Sequence, residues 1–154
     1  MAKYKIADEP SPSTLARFAV NPLFPFLAVM LGGAWLGFAW FALNSFAVGS
    51  PTRTKEIAWL LGGLGAAALL VVATSLALDA GWLQTRHVAY AALVILVAKL
   101  AAAYAVHILQ SRTIEIFEYY GGVLRNGLPL AVVSFLLGPR LLEPVPVLVR
   151  LVLQ

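Results

Sequence analysis

The stretch FAVNPLFPFLAVMLGGAWLGFAWFALNSFAVGSPT, residues 18–52, runs for 35 positions without a charged side chain. Crossing the hydrocarbon of a bilayer, about 30 Å, takes about 20 helical residues at about 1.5 Å each, so the run is long enough with turns to spare. Its centre, Leu23 to Val48, carries Trp35, Trp40 and several phenylalanines and is expected to form a first membrane span. Asn21-Pro22 and Pro25 stand at its start, where proline disturbs a helix least. Gly49-Ser50-Pro51 closes it, and Arg53, Lys55 and Glu56 mark the return to water.

The whole chain agrees with that stretch. Of its 154 residues, 61% are hydrophobic and 12% charged, with a mean hydropathy of +0.87. Soluble domains hold about 45–50% apolar and about 25% charged residues. Half the usual charge leaves too little polar surface to coat a water-soluble globule. Disorder, which goes with few apolar residues and much charge, is excluded by the same values. The expected class is an all-α integral membrane helical bundle. A net charge of +4 raises nucleic acid as a partner, but the eleven lysines and arginines are scattered singly, and none is expected. Basic residues flanking membrane segments and facing anionic headgroups explain the balance better. Cysteine is absent, which removes disulfides, thiolate metal sites and a cysteine nucleophile.

About four spans are expected. The second is Ile57 to Leu78, 22 uncharged residues with Trp59 and Trp82 near its ends. The third runs from about His87 to Gln110. No Gly or Pro falls between Gly81 and Gly121, so this helix is expected to continue past the bilayer through Arg112, Glu115 and Glu118 to Tyr120. The fourth, residues 123–138, is short: 14 uncharged residues separate Arg125 from Arg140, about 21 Å of helix. In domain terms, 1–20 is a polar tail with a short lead-in helix, 21–138 the transmembrane bundle, and 139–154 an apolar tail lying in the interface. The apolar run is too long, and begins too late, for a cleaved signal peptide. Six Lys and Arg flank one side and four the other, which favours the N-terminus inside. Spans rich in Ala and Leu suggest a bacterial cytoplasmic membrane.

Lipid does not drive helices together by hydrophobicity, so small residues that let backbones approach do much of that work. Gly33 and Gly37 form a G-x-x-x-G pair in the first span, and Gly62, Gly63 and Ala66 supply a small face in the second. These are read first as packing inside the bundle and second as a face for another helix.

Lys99 is the odd residue. It is the thirteenth of the 25 residues between Arg86 and Arg112. Its side chain reaches about 6 Å against about 15 Å to the surface, so it does not snorkel out. A central lysine costs about 2.5–3.5 kcal/mol on insertion scales and usually faces a partner or a wet cavity. It is carried as a neutral amine, is paired with carbonyls, hydroxyls or another subunit's carboxylate, or lines a polar path. Gln110 continues its face of the helix, and His107 lies about 80° around it. His87 and His107 fall on one helix about 30 Å apart and cannot share a haem iron, so no metal or cofactor is expected. Glu115 and Glu118 lack a histidine to complete a ligand set and read, with Arg112, as a charged face that a partner meets. No H-E-x-x-H, G-x-S-x-G or phosphate-loop pattern is present, so no catalysis is expected. The expected function is a non-catalytic subunit or partner-docking module of a membrane assembly, bound to lipid and to other subunits or itself. The alternative is a small oligomeric channel or transporter with a polar path past Lys99.

Overall fold

Gly33 turns the long uncharged stretch back on itself. The computed structural model describes residues 10–154, with Thr85 and Pro139 as backbone only, so the part of the expected tail at 1–9 lies outside the described residues. Residues 23–48 form two helices, α1 (Leu23–Gly32) and α2 (Ala34–Val48), of 10 and 15 residues. Between them Gly33 has φ +99° and ψ 163°, a backbone region that residues with a Cβ avoid. A Cβ at Gly37 would lie 2.6 Å from the Val29 nitrogen and 2.9 Å from the Pro25 carbonyl oxygen. In one continuous helix those residues would be about 12 and about 18 Å apart along the axis. They touch because the two helices lie side by side. At the open end of this hairpin, Asn44 of α2 bonds both backbone groups of Val20, just before α1. The stretch expected as a first span is therefore a helical hairpin that starts and finishes at the same end of the bundle.

Two further helices are much longer. They are α3 (Arg53–Asp79), 27 residues, and α4 (Val88–Tyr119), 32 residues. Both are long and apolar enough to cross a membrane. Only 22% and 28% of their most apolar stretches are buried within the chain, whereas a core helix of a soluble protein is mostly buried. They run antiparallel, with Gly63 against Ala102, and Ala67 and Val71 against Ile95. Nothing interrupts α4 between Val88 and Tyr119, as the absence of Gly and Pro implies. The hairpin packs on this pair through Val29, Ala34, Phe38 and Phe41, which meet Leu60, Ala102, Ala103 and Val106 in the largest core cluster.

Two short helices complete the fold: α5 (Leu128–Leu141), 14 residues, and α6 (Val147–Leu153), 7 residues. α5 lies parallel to α1, with Gly127 against Phe24 at one end and Ser134 and Gly138 against Gly32 at the other. At about 21 Å it is no longer than the stretch expected as the fourth span. α6 does not lie along an end of the bundle. It returns to the middle, where Val152 packs on Ala67, Val71 and Ile95 and the backbone of Leu153 and Gln154 meets Gly33. The architecture is thus all-α, six helices with no strand among the described residues, and two of the six are long enough to cross a membrane.

The contact at Gly37 yields a test. Gly37→Leu drives a side chain into the Val29 and Pro25 backbone and is expected to destabilise the fold by about 3 kcal/mol. Ala92→Leu on the exposed face of α4 is expected to change stability by less than about 0.5 kcal/mol. Thermal unfolding in mild detergent measures both; equal melting temperatures would contradict the hairpin.

Candidate functional site

The densest polar chemistry lies at the open end of the hairpin, where α2 finishes, α3 begins and α4 passes. Asn44, Ser45, Ser50, Glu56, Gln110 and Thr113 are all buried there, and Glu56 has no exposure at all. Moving a carboxylate out of water costs several kcal/mol unless donors replace the lost hydration. Four donors do so. Ser45 Oγ and Ser50 Oγ each donate a short hydrogen bond to the carboxyl group, Thr52 Oγ1 donates at 2.6 Å and Gln110 Nε2 at 2.9 Å. Glu56 also lies in the first turn of α3, where the helix dipole favours negative charge. No lysine, arginine or histidine is among these partners.

Gln110 joins the carboxyl group to the hairpin. Its Nε2 lies 2.8 Å from the Phe41 carbonyl oxygen and 2.8 Å from Ser45 Oγ, and its Oε1 accepts from Asn44 Nδ2 at 3.0 Å. Asn44 in turn donates to the Val20 carbonyl oxygen and accepts from the Val20 amide, both at 3.0 Å. Thr113 Oγ1 comes within 3.4 Å of Ser50 Oγ. The chain of bonds therefore runs from α3 through α4 and α2 to Val20, three residues before the start of α1. There is no void at its centre for a small molecule; the side chains of Asn44, Ser45, Ser50, Gln110 and Thr113 close on one another.

Lys99 lies elsewhere. It is 4% exposed, and its Nζ donates to the Leu151 carbonyl oxygen at 3.1 Å, in the last turn of α6, where carbonyls lack helical partners. Lys99 and Gln110 share one buried stripe of α4, but Ala103 and Val106, both without exposure, fill it between them. No polar route joins the two. His107 sits beside the stripe, its ring 5.7 Å from Phe26 and 6.3 Å from Tyr104, with Nδ1 buried and unbonded among the described residues. Arg112, Glu115 and Glu118 are exposed on the outer face of α4. The small residues divide: Gly33, Gly37 and Gly63 meet this chain's own helices, while Gly62 and Ala66 face outward. Among the described residues no group of His, Cys, Asp or Glu is arranged to hold a metal ion.

Glu56 is the residue that sequence reasoning placed wrongly, in water beside Arg53 and Lys55. Those two are exposed, but Glu56, in the same first turn of α3, is fully buried against the end of α2 and against α4. The available signal was indirect: Asn44 and Gln110 are amides inside apolar helices, and each needs partners.

Replacing Gln110 with Leu leaves Glu56 and Asn44 each short of a partner, and the expected loss of stability is about 2–4 kcal/mol. The exposed Glu118→Gln is expected to stay within about 0.5 kcal/mol. Denaturant or thermal melts in detergent check both, and a Gln110→Leu protein as stable as the parent would remove the network's structural role. No family model, curated protein or solved structure matches this chain.

Proposed function

We propose that the chain is an integral membrane protein that acts without catalysis, as a subunit or docking module of a membrane assembly, through the outer face of α3. The observation that carries this reading is the placement of Gly62 and Gly65. A side chain added at either would meet nothing within 4 Å. With Ala58 and Ala66 they make an exposed patch of small residues on one face of the first half of the helix, ended by the exposed Leu69. Glycine inside a helix costs about 1 kcal/mol relative to alanine, and acyl chains gain nothing from it. A second helix does, because small residues allow its backbone to come close. The partner is a second copy of this chain or a helix of another subunit.

The membrane reading gains support from the hairpin topology. Among the described residues outside the middle of α4, Arg17, Arg53, Lys55, Arg112 and Arg125 lie at the hairpin's open end, whereas Arg86 lies in the connection between α3 and α4, and Arg140 and Arg150 lie in α5 and α6 at or past the hairpin's turn. That balance, five against three, leans as modestly as the six against four counted over four spans. Under the positive-inside rule such a lean supports an orientation with the open end, and the segment leading into α1, on the cytoplasmic side. The channel or transporter reading has less behind it. A backbone break such as Gly33 often lines a cavity at membrane depth, but here α6 covers it, and the Lys99 amine is already bonded.

Gly62→Ile and Gly65→Ile fill the outer patch without touching the interior. Protein purified in mild detergent is expected to run as an oligomer, or with a co-purifying subunit, and either substitution is expected to shift it to the monomer. Light scattering coupled to size exclusion reads the mass. A parent protein that is already a dispersed monomer with no companion would overturn the proposal.

A further inference from the structure

A groove of about 700 Å³ runs along the side of α2 away from α4, walled by Leu36, Trp40, Leu43 and Ala47 on one side and by Leu130 of α5 on the other. Its volume falls in the usual range for ligand sites, about 300–1,000 Å³. From Leu36, next to the hairpin turn, to Ala47, at the open end, is about 16 Å along the helix. The two ends of the groove differ in chemistry. The deep end is aliphatic and aromatic, while the mouth carries Arg125 and Asn126.

Arg125 is held in place by its backbone and by one side-chain nitrogen. Its amide donates to the Ala19 carbonyl oxygen at 2.8 Å, and its Nε donates to the Arg17 carbonyl oxygen at 3.3 Å. Among the described residues its terminal nitrogens have no acceptor and no acidic side chain lines the groove. The backbone contact also brings the Arg17 main chain next to it, but the Arg17 guanidinium lies 4.9 Å over the Phe18 ring and does not line the groove, so Arg125 is the one cation at the mouth among the described residues.

An apolar trough with a cationic mouth at the charged end of the bundle matches one class of molecule. We infer that the groove binds an anionic glycerophospholipid, with an acyl chain laid along α2 from Ala47 to Leu36 and the phosphate at Arg125. The inference rests on the membrane reading above and goes beyond it, because it concerns α2 and α5 and leaves the α3 patch aside. Charge complementarity favours a lipid over an apolar helix of a second copy or a partner, which would leave Arg125 unmatched. A basic residue near an anionic headgroup is worth about a fivefold gain in binding.

Native mass spectrometry of the full chain, released from detergent after incubation with equal amounts of phosphatidylglycerol and phosphatidylcholine, tests this. One phosphatidylglycerol retained per chain, about fivefold over phosphatidylcholine, is expected. Arg125→Gln is expected to abolish that preference and Arg125→Lys to keep most of it, whereas Ala39→Trp, which fills the trough, is expected to reduce retention of both lipids. Circular dichroism confirms that each variant is folded. Equal retention of the two lipids by the parent, a preference that survives Arg125→Gln, or a lipid-free dimer that Ala39→Trp dissociates would overturn the inference. Recovery of the chain in the aqueous fraction of lysed cells would overturn the membrane reading as well; recovery in membranes without lipid preference sinks only the groove.

Discussion

A carboxyl group with no access to water has to be met by donors, and the donors that meet Glu56 come from three separate pieces of chain. Ser45 belongs to the end of α2, Ser50 and Thr52 to the connection that follows, and Gln110 to α4. The cost of burying Glu56 is offset only when all three converge, so the network acts as a register mark for the bundle. It sets how far α4 slides past α3 and where α2 stops. Through Asn44 and Val20 it reaches the start of α1, so both ends of the hairpin are tied to one place. With those ends fixed together, the 26 residues between them have to fold back, and the Gly33 backbone is where they do.

The interior then divides by depth. Near the open end the helices are joined by hydrogen bonds that a low-dielectric surrounding strengthens. Further in, Ala102, Ala103, Val106, Phe38 and Phe41 pack without a polar atom. Beyond them Lys99 needs an acceptor, and α6 supplies one by bending back to present the Leu151 carbonyl. The apolar C-terminal helix is thereby held against the side of the bundle at the level of Lys99, with none of its own residues fully buried. The half-length hairpin, α5 and α6 leave much of α3 and α4 uncovered, which is why glycines on the outer face of α3 stand open.

Period and length made part of this visible beforehand. The stripe Lys99, Ala103, Val106 and Gln110 follows from helical spacing, and an unbroken α4 follows from the absence of Gly and Pro. The hairpin did not follow, because Gly32-Gly33 inside an apolar run suits a straight span with a packing face as well as a reversal. The choice is made by contacts far apart in the chain, such as Asn44 with Gln110, 66 residues away. Glu56 was hidden for the same reason. Its neighbours Arg53 and Lys55 are wet, and its own burial depends on a glutamine 54 positions later. The resting place of α6 depends on Lys99, 52 positions before its partner. Local pattern carries no information on any of these pairings.

Sidedness decides between a folded-back hairpin and a span, and a chain without cysteine suits the measurement. Single cysteines at Thr14→Cys, Lys55→Cys and Gln84→Cys, all exposed positions, are labelled with a membrane-impermeant maleimide in vesicles of known orientation. The first two are expected to react from one face of the membrane and the third from the other. Labelling of Thr14→Cys and Gln84→Cys from one face, with Lys55→Cys opposite, would mean that residues 23–48 cross the bilayer after all.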